Sequence, residues 1–146
     1  MTDSDVLVAP HTIEYTYTRS TGPAIGAFLT GLRDRKIVGV RGSDGRVIVP
    51  AVDYDPVTSD GLDEYVEVSD SGVVTTWSWN DSPAEGQPLD LPFAWALVKF
   101  DGADTPMLVA LDAAGPEIVS TGMRVSARWA EHRTGSIRDL ICVEPE

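Results

Sequence analysis

The chain has 146 residues, enough for one domain or for a barrel with a small N-terminal appendage. A hydrophobic share of 42% with 8% aromatics fits a chain that buries a core and excludes disorder as its global state. With 11 basic against 23 acidic residues the net charge is −12, which disfavours nucleic-acid phosphates and anionic membrane surfaces as partners.

The first residues, MTDSDVLVAP, lack the basic and apolar regions of a signal peptide, and no run approaches a membrane span. One cysteine, Cys142, rules out an internal disulfide, so the expected compartment is the cytoplasm. Within the polar lead, IEYTYT places Ile13, Tyr15 and Tyr17 on one side of an extended segment. Too short to stand alone, it is expected to drape over another surface or to join a sheet edge.

GPAIGAFLTGLRDRK is the helix signal. Thr21 or Gly22 can cap it, and Pro23 suits the first turn because its missing N–H would be unpaired there. Ile25, Phe28, Leu29 and Leu32 follow the i, i+3, i+4, i+7 spacing of one apolar face. Arg33, Arg35 and Lys36 are expected in the last turn, where cations complement the dipole. Gly26 and Gly31 weaken such a helix, so it must pack either on its own barrel or on a partner.

In KIVGVRGSDGRVIVP, two β-prone runs flank Asp44-Gly45, a hairpin-turn dipeptide. The following AVDYDPVTSDGLDE has no regular period and reads as a connector. From Tyr65 on, YVEV, VVTTWSW, FAWALVKF, PMLVALD, MRVSARW and SIRDLICV alternate with turn-rich pieces. That pattern predicts an antiparallel OB-type barrel of five or six strands. The expected architecture is mostly β. Residues 1–36 form a lead and docking helix, 37–62 a ribbon hairpin and 63–146 the barrel.

Charge is uneven along the chain. Arg33, Arg35, Lys36, Arg41 and Arg46 cluster, whereas Val47 to Val98 contain no Lys or Arg and many acids. The cluster is either part of a mixed solvated surface or a site for a phosphate-bearing ligand. Chemistry is harder to find. His11 and His132 lack nucleophile or carboxylate partners at triad spacing, and Cys142 lies in an apolar run that suits an inert buried thiol. No phosphate-binding loop, dinucleotide fingerprint, nucleophile elbow or zinc-spaced cysteine pair occurs, so no catalytic residue is nominated. Trp77 with Trp79, and Phe93 with Trp95, each share a strand face, which is either core or the wall of a groove.

The ordered blocks FLTGLRDRKI, SDSGVVTTWSW, LPFAWALVKFDGADTPMLVALD and TGMRVSARW resemble the zinc-ribbon/OB-fold proteins associated with acyl-CoA thiolases and hydratases, over roughly residues 20–145. In that family two Cys-x-x-Cys pairs commonly hold zinc in a rubredoxin-like ribbon. The matching positions here are Arg41, Asp44, Asp55 and Thr58, so the resemblance implies a metal-free variant. It further implies a non-catalytic accessory subunit, with no cofactor of its own. The partner would be a thiolase-like lipid-transfer-protein aldolase that shortens CoA-activated steroid (cholesterol) side chains. The assembly expected is a hetero-oligomer, a heterotetramer around a dimeric partner, with a CoA thioester as substrate and neither nucleic acid nor membrane as ligand.

On that reading Tyr15, Tyr17, Phe28, Leu29 and Leu32 form the partner interface, and Arg33, Arg35, Trp79, Phe93 and Trp95 contact the CoA thioester. Two other functions remain open on sequence. An independent acyl-CoA enzyme such as an enoyl-CoA hydratase would draw on Asp101, Asp104 or His132. A nucleic-acid-binding OB protein would stack bases on the barrel aromatics, but Lys99 is the sole cation on those two strands.

Overall fold

The structure is a computed structural model and describes residues 6–146. Helix α1 spans Gly22–Arg33 and begins without a side-chain cap from Thr21. Instead, the Ala24 N–H donates to Asp53 Oδ1 at 3.2 Å, so a carboxylate from a distant loop meets the positive end of the helix. The buried face is Ala24, Phe28, Gly31 and Leu32, with Leu29 half-buried and Ile25 exposed. The stripe is therefore rotated from the expected one. Gly31 explains the rotation: a Cβ there would lie 2.6 Å from Val38 Cγ2, so only glycine lets the helix approach the next strand this closely.

The helix ends in a Schellman motif. Lys36 N–H donates to Gly31 O at 2.8 Å and Arg35 N–H to Leu32 O at 3.1 Å. The left-handed position is held by Arg35, at φ 60°, where glycine is usual. Arg35 and Lys36 thus lie beyond the helix, not in its last turn.

Strands β1 (Ile37–Arg41), β2 (Val47–Ile48) and β3 (Tyr65–Val68) form an antiparallel sheet in the order β2-β1-β3. Gly45, at φ 85°, makes the turn between β1 and β2. YVEV, expected as a barrel strand, instead pairs with β1 from Ile37↔Val68 to Val40↔Tyr65. It is β1's free edge that recruits it, leaving the barrel with five strands.

Those are β4 (Ser71–Asn80), β5 (Phe93–Phe100), β6 (Met107–Leu111), β7 (Arg124–Trp129) and β8 (Leu140–Pro145), closed in the order β4-β5-β6-β8-β7. The barrel is mixed, not wholly antiparallel as expected. β7 crosses over so that β8 runs parallel to β6, joined by the Leu111↔Val143 bridge. A bulge between Val74 and Thr76 shifts the pleat of β4, so Val74 and, beyond it, Trp77 and Trp79 all pack on the main core.

One core runs through helix, small sheet and barrel, from Leu32, Ile37 and Val40 to Val98, Phe100 and Val143. Polar bonds reinforce the joints. The turn after β5 exchanges bonds with Val47 and Val49 through Asp104 and Thr105. Arg133, between β7 and β8, donates from Nε to Arg33 O at 2.8 Å, satisfying a carbonyl at the end of α1. Among the described residues, no helix is long and apolar enough to cross a membrane.

Candidate functional site

The basic cluster is largely neutralised within the chain. Arg33 pairs with Asp34 at 3.1 Å, Lys36 with Glu67 at 3.2 Å, Arg41 with Glu64 at 2.9 Å, and Arg46 with Asp44. Their hydrogen bonds with Arg33 and with Arg46 hold the Asp34 and Asp44 carboxyls below the usual carboxylate range. Among the described residues only Arg35 of this cluster has no such partner. An incoming phosphate would have to displace carboxylates from the others.

The four positions matched to zinc ligands do not fit the metal. Arg41 donates to Glu64 and to Gly45 O, and Asp44 accepts from Arg46. The Asp55 carboxylate, 3% exposed, accepts the backbone N–H groups of Ser43 (2.9 Å), Val57 (2.8 Å) and Thr58 (3.0 Å). Those bonds, from Thr58 first, keep its pKa low. The hydroxyls of Ser43 and Thr58 lie 3.0 Å apart, and both donate to Asp60 Oδ2. No sulfur or imidazole is present, and the oxygen donors are already committed. Among the described residues no group of three or more His, Cys, Asp or Glu side chains could hold a metal ion.

The expected interface residues divide. Phe28 and Leu32, 5% and 0% exposed, belong to the chain's own core; the α1 face they define is filled by the protein itself. Leu29 is half-buried against the same core. Tyr15 and Tyr17 are exposed, their ring centroids 5.9 Å apart, on a lead from residue 6 to 20 that pairs with no strand among the described residues.

The expected ligand aromatics are not brought together. Trp79 packs on the main core, whereas Phe93 and Trp95 belong to a second cluster with Ala110 and Cys142. Successive residues of a strand face opposite sides, and Phe93 and Trp95 alternate with the core residues Ala94 and Ala96. Phe93 is fully buried, edge-on to Trp95 at 5.0 Å, and so unable to meet a ligand. Cys142 beside it is inert, because burial pushes its thiol up to about 11 against the opposing pull of Arg128.

Of the five, Trp95 lines the first of two depressions among the described residues, and the other four line neither. A groove of about 560 Å³ lies between β6 and the stretch from Ile137 to Ile141, lined by Trp95, Leu108, Ile137 and Ile141, with Gln87 and Arg138 as polar members. A second depression of about 630 Å³ includes Leu91, Ile118, Asp112 and Glu144. Its two carboxylates are bound to Arg128, at 2.8 and 3.1 Å. Asp101, Asp104 and His132 line neither. Arg124 holds Asp101 at 2.8 and 2.7 Å, and Asp104 binds the Val47 N–H, so no acid/base pair for a hydratase is assembled from them.

On sequence SIRDLICV reads as one strand, which hides Arg138 and its neighbours. In the structure Ser136 and Asp139 form a capping box around a short 3-10 turn, Ile137–Asp139, that precedes β8. The Ser-x-x-Asp spacing was the available signal.

Residues 65–130 match the family model described as the C-terminal OB-fold domain of ChsH2. No curated protein matches the chain in sequence. Among solved structures, a DUF35-family protein of unknown function from Sulfolobus solfataricus is 25% identical, with TM-score 0.64, covering 86% of this chain and 85% of that one. A chain of the Ltp2-ChsH2(DUF35) aldolase is 18% identical with TM-score 0.64, covering 88% of this chain and 98% of that one. The chain thus shares its fold with DUF35 proteins, and its region from β3 through β7 is similar to the OB-fold domain of ChsH2.

Proposed function

We propose that this protein is a non-catalytic accessory subunit of an acyl-CoA aldolase whose catalytic partner is a thiolase-like lipid-transfer protein. The observation that carries the reading is the match of residues 65–130 to the ChsH2 OB-fold domain, together with the Ltp2-ChsH2 aldolase among structures of the same fold. It is supported by the commitment of Asp101, Asp104 and the buried Asp55 and Asp139 to structural bonds. The role extends to steroid side-chain cleavage in the cytoplasm, in a heterotetramer, with a ribbon that works without zinc.

The partner-facing surface includes the exposed Tyr15 and Tyr17, Ile25, and the visible part of Leu29. Arg35, with Arg33 released from Asp34, would meet CoA phosphates. Co-expression with a thiolase-like protein encoded beside it, followed by size exclusion and a retro-aldol assay, tests the reading. Co-elution with activity that requires this chain is expected. Separate elution, or full activity without it, would overturn it.

A further inference from the structure

Of the groove's lining, the accessory reading draws on Trp95 alone and gives no role to Leu108, Ile137, Arg138 or Ile141. The groove exists because of the barrel's parallel seam. β6 and β8 are bridged at Leu111↔Val143, and the groove occupies the space between the earlier residues of β6 and the approach to β8. Its lining is apolar and unusually accessible, with Leu108 59% and Ile137 56% exposed. Gln87 stands on one wall, its amide oxygen fixed by N–H groups of Asn80 (2.8 Å) and Ala84 (3.1 Å).

Charge sets this surface apart. In a chain with 23 acidic residues the groove lining contains no Asp or Glu, and its one charged member is Arg138. The adjacent Asp139 does not neutralise it. That carboxylate is buried and turned towards the N–H groups of Thr134, Gly135 and Ser136. Among the described residues Arg138 has no ion-pair partner.

We propose that this groove binds a single-tailed apolar anion: an acyl chain lies along Trp95, Leu108, Ile137 and Ile141, and its anionic end group meets Arg138. The volume lies within the roughly 300–1,000 Å³ of small-molecule sites, which are mostly apolar with a few polar groups that fix orientation. An anion is repelled by most of this acidic surface and attracted here. The inference goes beyond the accessory role and does not depend on it.

The test is calorimetric titration of the isolated chain with decanoate and with its uncharged counterpart decanol. Arg138→Gln and Leu108→Asp change exposed side chains, and circular dichroism verifies that both variants fold. Wild type should bind decanoate at one site. Leu108→Asp should abolish binding of both probes. Arg138→Gln should weaken decanoate about fivefold, the upper end for an exposed ion pair, and leave decanol unchanged. The proposal is overturned by non-saturable binding, by equal effects of Arg138→Gln on the two probes, or by wild-type affinity in Leu108→Asp. Adsorption to phosphatidylglycerol vesicles that both variants retain, without saturable decanoate binding, also overturns it. No partner enters this titration, so its failure is distinguishable from failure of the aldolase reading.

Discussion

Val47 and Asp104 bond each other twice: the Val47 N–H donates to Asp104 Oδ2 at 2.8 Å, and the Asp104 N–H donates to Val47 O at 2.8 Å. The pair fastens β2 to the turn between β5 and β6, and Thr105 repeats the stitch on Val49. Asp104→Ala should therefore cost about 1 kcal/mol, the ordinary net value of a hydrogen bond. Amide exchange at Val47 should rise while the barrel interior stays protected, and exchange measured by NMR reads both.

Phe28→Asp should abolish folding rather than merely weaken partner binding. Truncating a buried Phe costs about 3–5 kcal/mol, and burying an unpaired carboxylate adds to it, against total stabilities of about 5–15 kcal/mol. Ile25→Asp, one turn back and exposed, should leave the thermal midpoint nearly unchanged. Loss of partner co-elution by an Ile25 variant that still folds would identify the exposed side of α1 as the docking side. Thermal denaturation and co-elution together separate the two effects.

Arg35 occupies the left-handed position of the Schellman motif, where a side chain costs about 1–2 kcal/mol relative to glycine. Arg35→Gly should raise the thermal midpoint of the isolated chain. If Arg35 meets CoA phosphates in the assembled enzyme, the same variant should raise the KM for the thioester. A stabilised variant with an unaltered KM would remove Arg35 from the ligand site.

Acid should unfold the protein through identifiable carboxylates. Hydrogen bonds from Thr58, Ser43 and Val57 lower the pKa of Asp55. For Asp139, burial pushes upward, but the N–H groups of Thr134, Gly135 and Ser136 prevail and its pKa is also lowered. The unfolded chain then binds more protons, so the stability they contribute is complete above about pH 5. It is lost as pH falls through about 4 and on through the depressed folded values. Asp55→Asn should lower the midpoint at pH 7 and flatten this acid limb, as followed by circular dichroism. Excess EDTA should leave the wild-type midpoint unchanged; a shift would restore a metal to the region of Arg41, Asp44, Asp55 and Thr58.

The sequence showed the helix, the β-rich body and five of the barrel's strands, because Pro23, the apolar spacing of α1 and period-2 strands are local signals. What it concealed was long-range. Nothing local in YVEV distinguishes a strand for β1 from one for β4, and the parallel pairing of β6 with β8 depends on a crossover. The rotation of α1 follows from how near Gly31 comes to Val38, a distance between elements. Of the expected site residues, Trp95 borders a cavity while Phe28, Leu32 and Phe93 are core, since apolar spacing reports burial without saying what covers it.

Arg133 closes α1 from a position 100 residues after the carbonyl it meets. On a ribosome adding about 5–20 residues per second, that carbonyl waits roughly 5–20 s for its donor. The helix made first thus acquires its final anchor among the last contacts to form, along with the strand that closes the barrel. Throughout that interval the Arg33 carbonyl has only water to meet, and a stalled chain ending before Arg133 keeps that helix end unanchored while the apolar side already packs on β1.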